Sequence, residues 1–425
     1  MAHRREEAFS RYASASLPTG EEEIWRYSRI GDLHLDRFSP AGGVPAAQHG
    51  LPEMPAPALA LVDRVGERSG FVLDVGGRIA EADLGEEAEQ AGVRLSRASG
   101  LGGAEGLVGS VRAAFGDGGS GDSLDDLAEA FSDEPVVVSI PAGVELSHPI
   151  VVVHLLALDH EDPVSGPAFF PRLALEVGES ARATVVELAL SGPGAVLVAP
   201  ATELSVGDGA RLSYSSIQQL GRRTWQLGHS WARAGRDAEL VAFTASLGGE
   251  YARSRTDSIL DGPGGSAQLL AAFLGDGSQT HDFRTLQEHV APRTTSDLLF
   301  KGAVGGSARS VYSGLIRMRR GSRGANAFQT NRNLVLSEGA HADSVPNLDI
   351  QENDVRCSHA SAVGPIDPEQ RFYLESRGVP SAVAERLILV GFFTELLERA
   401  EPAVRDHVVA ELRGRLHGLT ETGAP

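Results

Sequence analysis

The sequence predicts a mainly β fold: a β-solenoid core over residues 135–366, preceded by a mixed, partly helical segment over 1–134 and followed by a helical domain over 367–425. Three observations lead there. Short apolar β-like runs take over after Pro135, a Gly-x-x-Ala element recurs at near-constant spacing, and strong helix-start signals return at Asp367.

In the N-terminal segment, Pro18 to Tyr27 reads as a turn opening a short helix with acidic residues at its start, with Trp25 and Tyr27 available for packing. Residues 39–60 are rich in Pro, Ala and Gly and read as a connector, and the Gly-rich stretches around 99–121 read as loops. Ser123 is expected to cap a helix through Phe131, with Asp126 at the reciprocal position.

The core begins with Val136–Ile140, Ile150–His154 and Leu173–Val177. The recurring element is Gly178–Ala181, Gly207–Ala210, Gly235–Ala238 and Gly264–Ala267, whose alanines stand 29, 28 and 29 residues apart. A fifth copy, Gly305–Ala308, follows after 41 residues, and a weaker sixth, Ser337–Ala340, after 32 more. A glycine-permitted turn at a fixed point of each coil, with a small residue where coils approach, explains the period. One coil cannot bury its own apolar face, so the next must cover it. Six coils at ~4.8 Å each give a body roughly 30 Å long.

After the core, Asp367-Pro-Glu-Gln370 supplies an N-cap, a proline at the first helical position and a Gln three residues after the cap. Gly378 and Pro380 end that helix after Arg377. Ser381 is expected to cap the next, whose Leu389, Phe392, Phe393, Leu396 and Leu397 share a face. Glu401-Pro402 restarts a third helix with Val404, Val408, Leu412 and Leu416 at four-residue steps. Such helices are expected to cover the open edge of the solenoid.

Charge and cysteine exclude several functions. The formal net charge of −19 opposes binding to nucleic acid or anionic lipid. Lys301 is the only lysine among 38 basic residues. One cysteine, Cys357, rules out an intrachain disulfide or a multi-thiolate site built by this chain alone. Neither an N-terminal apolar h-region nor an apolar run of roughly 20 residues is visible, so a cytoplasmic protein is expected. There is no P-loop, His-Glu-x-x-His or Gly-x-Ser-x-Gly pattern, and no enzymatic activity is expected. His154, His229, His281, His289 and His341 lack ligand spacing and are read as structural or surface groups.

Cys357 and His359 stand two apart, so on a strand both side chains leave the same face. A thiolate beside an imidazole suits iron or zinc and supplies half of a four-ligand shell, to be completed by another chain. A small buried thiol is the alternative at Cys357.

The segment Asn353–Asp367 (NDVRCSHASAVGPID), followed by Arg371–Gly378 (RFYLESRG), resembles the C-terminal signature of the SufB/SufD family of iron–sulfur cluster assembly proteins. Glu23–Tyr27, Pro141–Val144, His148–Ile150, Lys301-Gly302, Tyr312–Ile316 and Asn326–Leu336 fit the same family. The D-type pattern fits better than the B-type, since Thr330 stands where a B-type chain is expected to carry cysteine. One departure is Ala360, where the family usually has glycine.

This resemblance implies a right-handed parallel β-helix and a heterodimer with a SufB-type subunit, whose interface near the last strands holds a transient iron–sulfur cluster. It implies His359 as a cluster ligand and Cys357 as a neighbouring thiolate. Arg371, Phe372, Tyr373, Arg377 and Gly378 would then form or support a surface for a SufC-type ABC ATPase. Reduced flavin in the complex, and a homodimer of the isolated chain, are further expectations. Two competing readings are a β-helical polysaccharide lyase or hydrolase, which needs a groove of accessible acids, and a homodimeric scaffold that binds a cluster unaided.

Overall fold

Two stacks of parallel strands face each other across the core of the computed structural model, which describes residues 2–41, 53–97, 106–116, 121–132 and 135–421. The first sheet runs from Arg94–Arg97 through Val136–Ile140, Arg172–Val177, Ala201–Val206, Thr224–Ala234, Tyr251–Leu260, Thr280–His289 and Arg309–Met318 to His341–Ile350. The second runs from Arg78–Leu84 through Gly70–Val75, Ile150–Leu156, Arg182–Ser191, Arg211–Gln219, Glu239–Ser246, Ser266–Gly275, Thr295–Val304 and Asn326–Val335 to Arg356–Gly364. The chain alternates between them, which makes a β-solenoid of about seven turns. Each opposite strand is the crossover that parallel pairing needs. The sheets also recruit strands from before Pro135: Gly70–Val75 pairs in parallel with Ile150–Leu156.

Register partners Arg182, Arg211, Glu239, Ser266, Thr295, Asn326 and Arg356 mark the true period, 27 to 31 residues per coil. The turn before each of the first six of these places one residue in the left-handed region: Ser180, Gly209, Asp237, Gly264, Arg293 and Gly324, with φ between +51° and +78°. Glycine accepts that conformation freely; any other residue costs about 1–2 kcal/mol. The structure corrects the later copies of the Gly-x-x-Ala element. The fourth turn is Gly262–Gly265, where the Gly265 amide donates to the Gly262 carbonyl at 3.1 Å. Ala267 lies inside the following strand, opposite Leu240. The fifth and sixth copies sit at the other side of the solenoid, leading from the second sheet into the first. Half a coil added to a whole one accounts for the spacing of 41.

Eight helices flank the solenoid among the described residues: α1 (Ala2–Ser14), α2 (Ala56–Val65), α3 (Glu86–Gln90), α4 (Ser110–Ala114), α5 (Ser123–Phe131), α6 (Pro368–Ser376), α7 (Ser381–Leu397) and α8 (Pro402–Glu421). The N-terminal segment covers the outer face of the first sheet. Trp25, Leu124 and Leu127 pack on Trp225, Leu227 and Tyr251, and Val111 and Phe115 pack on Trp231 and Ile259. Glu23–Trp25 is one 3₁₀ turn rather than a helix. The cap of α5 is Asp122 with Asp125 reciprocating, one residue earlier than Ser123 and Asp126, because the Asp122 carboxylate accepts from the Leu124 and Asp125 amides. Helix α4 falls inside the stretch expected as loop, and α2 begins within the expected connector and runs past it to Val65; residues 42–52, 99–105 and 117–120 of those stretches lie outside the described residues.

The C-terminal helices also differ from expectation. Asp367 caps α6 as expected, while α7 starts after Pro380 with no side-chain cap from Ser381. Helices α7 and α8 lie along the outer face of the second sheet instead of over its end. There Leu389, Phe393, Leu396, Leu397, Val404, Val408, Leu412 and Leu416 bury against Val153, Leu188, Phe243 and Leu270. That outward face is apolar because both faces of this sheet are covered. Lys301 fastens the packing: its ammonium donates to the Phe392 carbonyl at 2.9 Å and meets Glu395 at 2.6 Å.

His407, on α8, is fully buried and neither ring nitrogen has a hydrogen-bond partner among the described residues. Burial, aided by the charge of Arg64, pushes its pKa down to about 4. The unfolded chain takes up this proton near pH 6.5, so the contribution to stability is present above pH 6.5 and is lost as pH falls through 4. His407→Leu is therefore expected to blunt the loss of stability between pH 7 and 5 by about 1–2 kcal/mol, read from urea midpoints at the two pH values. Equal losses in both proteins would refute the assignment.

Candidate functional site at the open end of the solenoid

The two ends of the solenoid are unlike. At the early end, Arg78–Leu84 and Arg94–Arg97 pair antiparallel with their neighbours and terminate both sheets. At the late end, His341–Ile350 and Arg356–Gly364 each pair on one side only, leaving a row of backbone groups free for another strand. Pro346 sits within the first of these strands, a position proline tolerates only at an edge. The end is also apolar: Ile350 is 50% exposed, Val363 46% and Leu348 37%.

Cys357 and His359 lie on this last coil. Their register partners are Ala327 and Gln329, both buried and facing the solenoid interior, so both side chains face inward at the open mouth. Cys357 is half-buried against Ile316, Met318, Ala325 and Ala327, and burial pushes its thiol up to about 11. His359 is exposed and makes no hydrogen bond or ion pair among the described residues. No group of three or more His, Cys, Asp or Glu able to hold a metal forms among the described residues, so this end offers at most a pair of ligands. Thr330, which separates the D-type from the B-type pattern, and Ala360, the one departure from the family pattern, are direct register partners on the opposite face of the strands. Ala360 is not in the left-handed region, so its Cβ costs nothing there.

Directly beneath the last coil the interior is polar, as it is further back at His154, Glu187, Gln218 and His281, which sequence reasoning missed. Gln329, Asn331 and Asn333 occupy successive inward positions and are each nearly fully buried. The legible signal was amides at alternate positions of one strand.

The residues Arg371, Phe372, Tyr373, Arg377 and Gly378 group on or just after α6, which buries none of its side chains. Phe372 is 70% exposed and Tyr373 59%. Arg371 reaches Glu385 of α7 at 3.1 Å, and the Arg377 guanidinium lies 5.3 Å from the Tyr373 ring centre. Gly378, at φ +85°, makes the bend between α6 and α7.

Several carboxylates of the solenoid are buried and committed. Asp74 and Glu187 bind His154 at 2.6 and 3.0 Å. Burial opposes the charge on His154, but these two carboxylates outweigh it and hold the imidazolium up to about 10. Asp282 is held by Arg253 and Arg284, and Asp257 by Arg255. No helix among the described residues is long and apolar enough to cross a membrane.

The fold is a parallel β-solenoid with one finished end, one open end and helices laid along its outer faces. The profile of the SUF system FeS cluster assembly, SufBD core domain, matches residues 160–392. A SufBD family iron–sulfur cluster assembly protein of Mycobacterium tuberculosis is 35% identical over 306 residues, 69% of this chain and 75% of its own length. One from Mycobacterium leprae is 31% identical over 96% of this chain and 91% of its own length. The iron–sulfur cluster assembly protein SufD of Escherichia coli is 27% identical over 95% of this chain and 90% of its own length. The chain belongs to the SufBD family of iron–sulfur cluster assembly proteins.

Because burial holds the Cys357 thiol protonated, its alkylation is expected to be slow at pH 7.5 and to keep accelerating towards pH 11 in the folded chain. In urea the rate should level off near the ordinary thiol value of 9.0. Mass spectrometry of the single adduct reads the rate; a plateau by pH 9 in the folded protein would contradict the burial argument.

Proposed function

We propose that this chain is a SufD-type, non-catalytic subunit of a cytoplasmic SUF assembly complex, pairing with a SufB-type scaffold through its open last coil. The observation that carries the reading is the pair of unpaired edge strands with His359 exposed between them. A second chain continuing both sheets would bury Leu348, Ile350 and Val363 and bring its own ligands opposite the imidazole. The nascent iron–sulfur cluster is cargo: His359 lends a neutral nitrogen to iron, and Cys357 stands beside it as a second donor once metal displaces its proton.

Helix α6 is the proposed seat of a SufC-type ABC ATPase, with Phe372 and Tyr373 as apolar contacts and Arg371, Arg377 and Gly378 supporting their geometry. Exposed aromatics on a helix that buries nothing of its own are the pattern of an interface anchor. Isolated chains would pair with themselves through the same free edges. Family membership and the burial of Asp74, Glu187, Asp257 and Asp282 favour this reading over a lyase or hydrolase.

Co-expression with SufB-type and SufC-type partners tests the proposal. A three-component complex is expected, with His359→Ala leaving it assembled but reducing bound iron and sulfide at least about 10-fold. Phe372→Ala with Tyr373→Ala should release the ATPase and keep the SufB-type subunit. Failure of the three to associate, or full cluster loading without His359, would overturn it.

A further inference from the structure

We infer that Gln329 is a positioning residue for His359: with the imidazole turned onto it, a contact the described structure does not make, its side-chain carbonyl accepts the ring N–H of His359 and leaves the other ring nitrogen free at the open mouth. This rests on the reading of His359 as a ligand. The column of register partners that ends at His359 passes through Gly70, Ile150, Val185, Tyr214, Ala242, Leu269 and Leu298. Gln329 is the first amide in that column and lies directly beneath the imidazole.

The amide of Gln329 is held at one end and vacant at the other. Its Nε2 donates to the Tyr312 hydroxyl, which in turn lies 3.1 Å from the Thr285 hydroxyl. Gly314 provides the room, since a Cβ there would collide with Gln329 Nε2, Tyr312 Oη and Thr285 Oγ1. The other end, Oε1, is buried with no donor among the described residues. An unsatisfied buried acceptor costs about 1–3 kcal/mol. The next coil, one strand spacing of about 4.8 Å away, presents His359, which itself makes no hydrogen bond among the described residues. The mismatch recurs one rung along, where Asn331 Nδ2 lacks an acceptor beneath Ser361.

A neutral imidazole has one N–H and one lone pair, and the bond made by the first decides where the second points. A carbonyl behind a metal-binding histidine is the usual way of fixing that choice. Gln329 supplies it from within the solenoid, before iron or a partner arrives.

The test uses the isolated full chain with ¹⁵N-labelled histidine at about pH 8, where an ordinary imidazole is neutral. Long-range ¹⁵N–¹H spectra show which ring nitrogen of His359 carries the proton. Wild type is expected to show one tautomer, Gln329→Met a mixture of both, and Gln329→Glu, which keeps an acceptor, a return to one. Should the Met variant fail to fold, Gly314→Ala displaces the amide without altering Gln329 and is expected to give the same mixture. Identical tautomer patterns in folded wild type and variants would overturn the inference. The outcome is separable from that of the proposed function: His359→Ala in the assembled complex reports on ligation whether or not Gln329 sets the tautomer.

Discussion

Everything at the open end depends on strands staying in register from coil to coil. The left-handed residue in successive turns resets the chain at the same place, and the following strand starts in line with the one below. Where that residue is Ser180, Asp237 or Arg293 rather than glycine, the strain is outweighed by a full ladder of parallel hydrogen bonds. Register turns distant sequence positions into columns. It sets Cys357 over the apolar floor of Ala327 and Met318, and His359 over Gln329.

The solenoid is finished by different means on its faces and its ends. Helices cover the outer faces because those faces are apolar, and antiparallel strands close the first coil. The last coil has neither, and its residues are mostly exposed where the same inward columns are buried further back. An uncovered edge of this kind invites uncontrolled pairing unless a partner occupies it. The high net negative charge favours solubility while the edge is free.

Much of the fold was legible because its signals are local. Asp367-Pro368, Gly378, and the four-residue steps of Val404, Val408, Leu412 and Leu416 are decided within a few residues, and the structure keeps them. The placement of α7 and α8 was not legible, since it depends on an apolar outer face assembled from Val153, Leu188, Phe243 and Leu270, residues far apart in the chain. The fifth Gly-x-x-Ala copy misled because both sides of a solenoid use the same turn chemistry. At the site, alternation alone placed Cys357 and His359 on one face. Gln329 went unseen because it adjoins His359 only across one coil, thirty residues away, and a reading along the chain does not register neighbours stacked vertically.

The connection between the last strand and α6 is short. Gly364 ends the strand that carries His359 and Pro368 begins the helix, so the intervening backbone spans at most roughly 14 Å when taut. On its other side α6 meets α7, which Lys301 moors to the sheet. A pull on α6 would therefore have little slack to absorb it: beyond a modest swing about the Gly378 bend, the tug would reach the outermost strand.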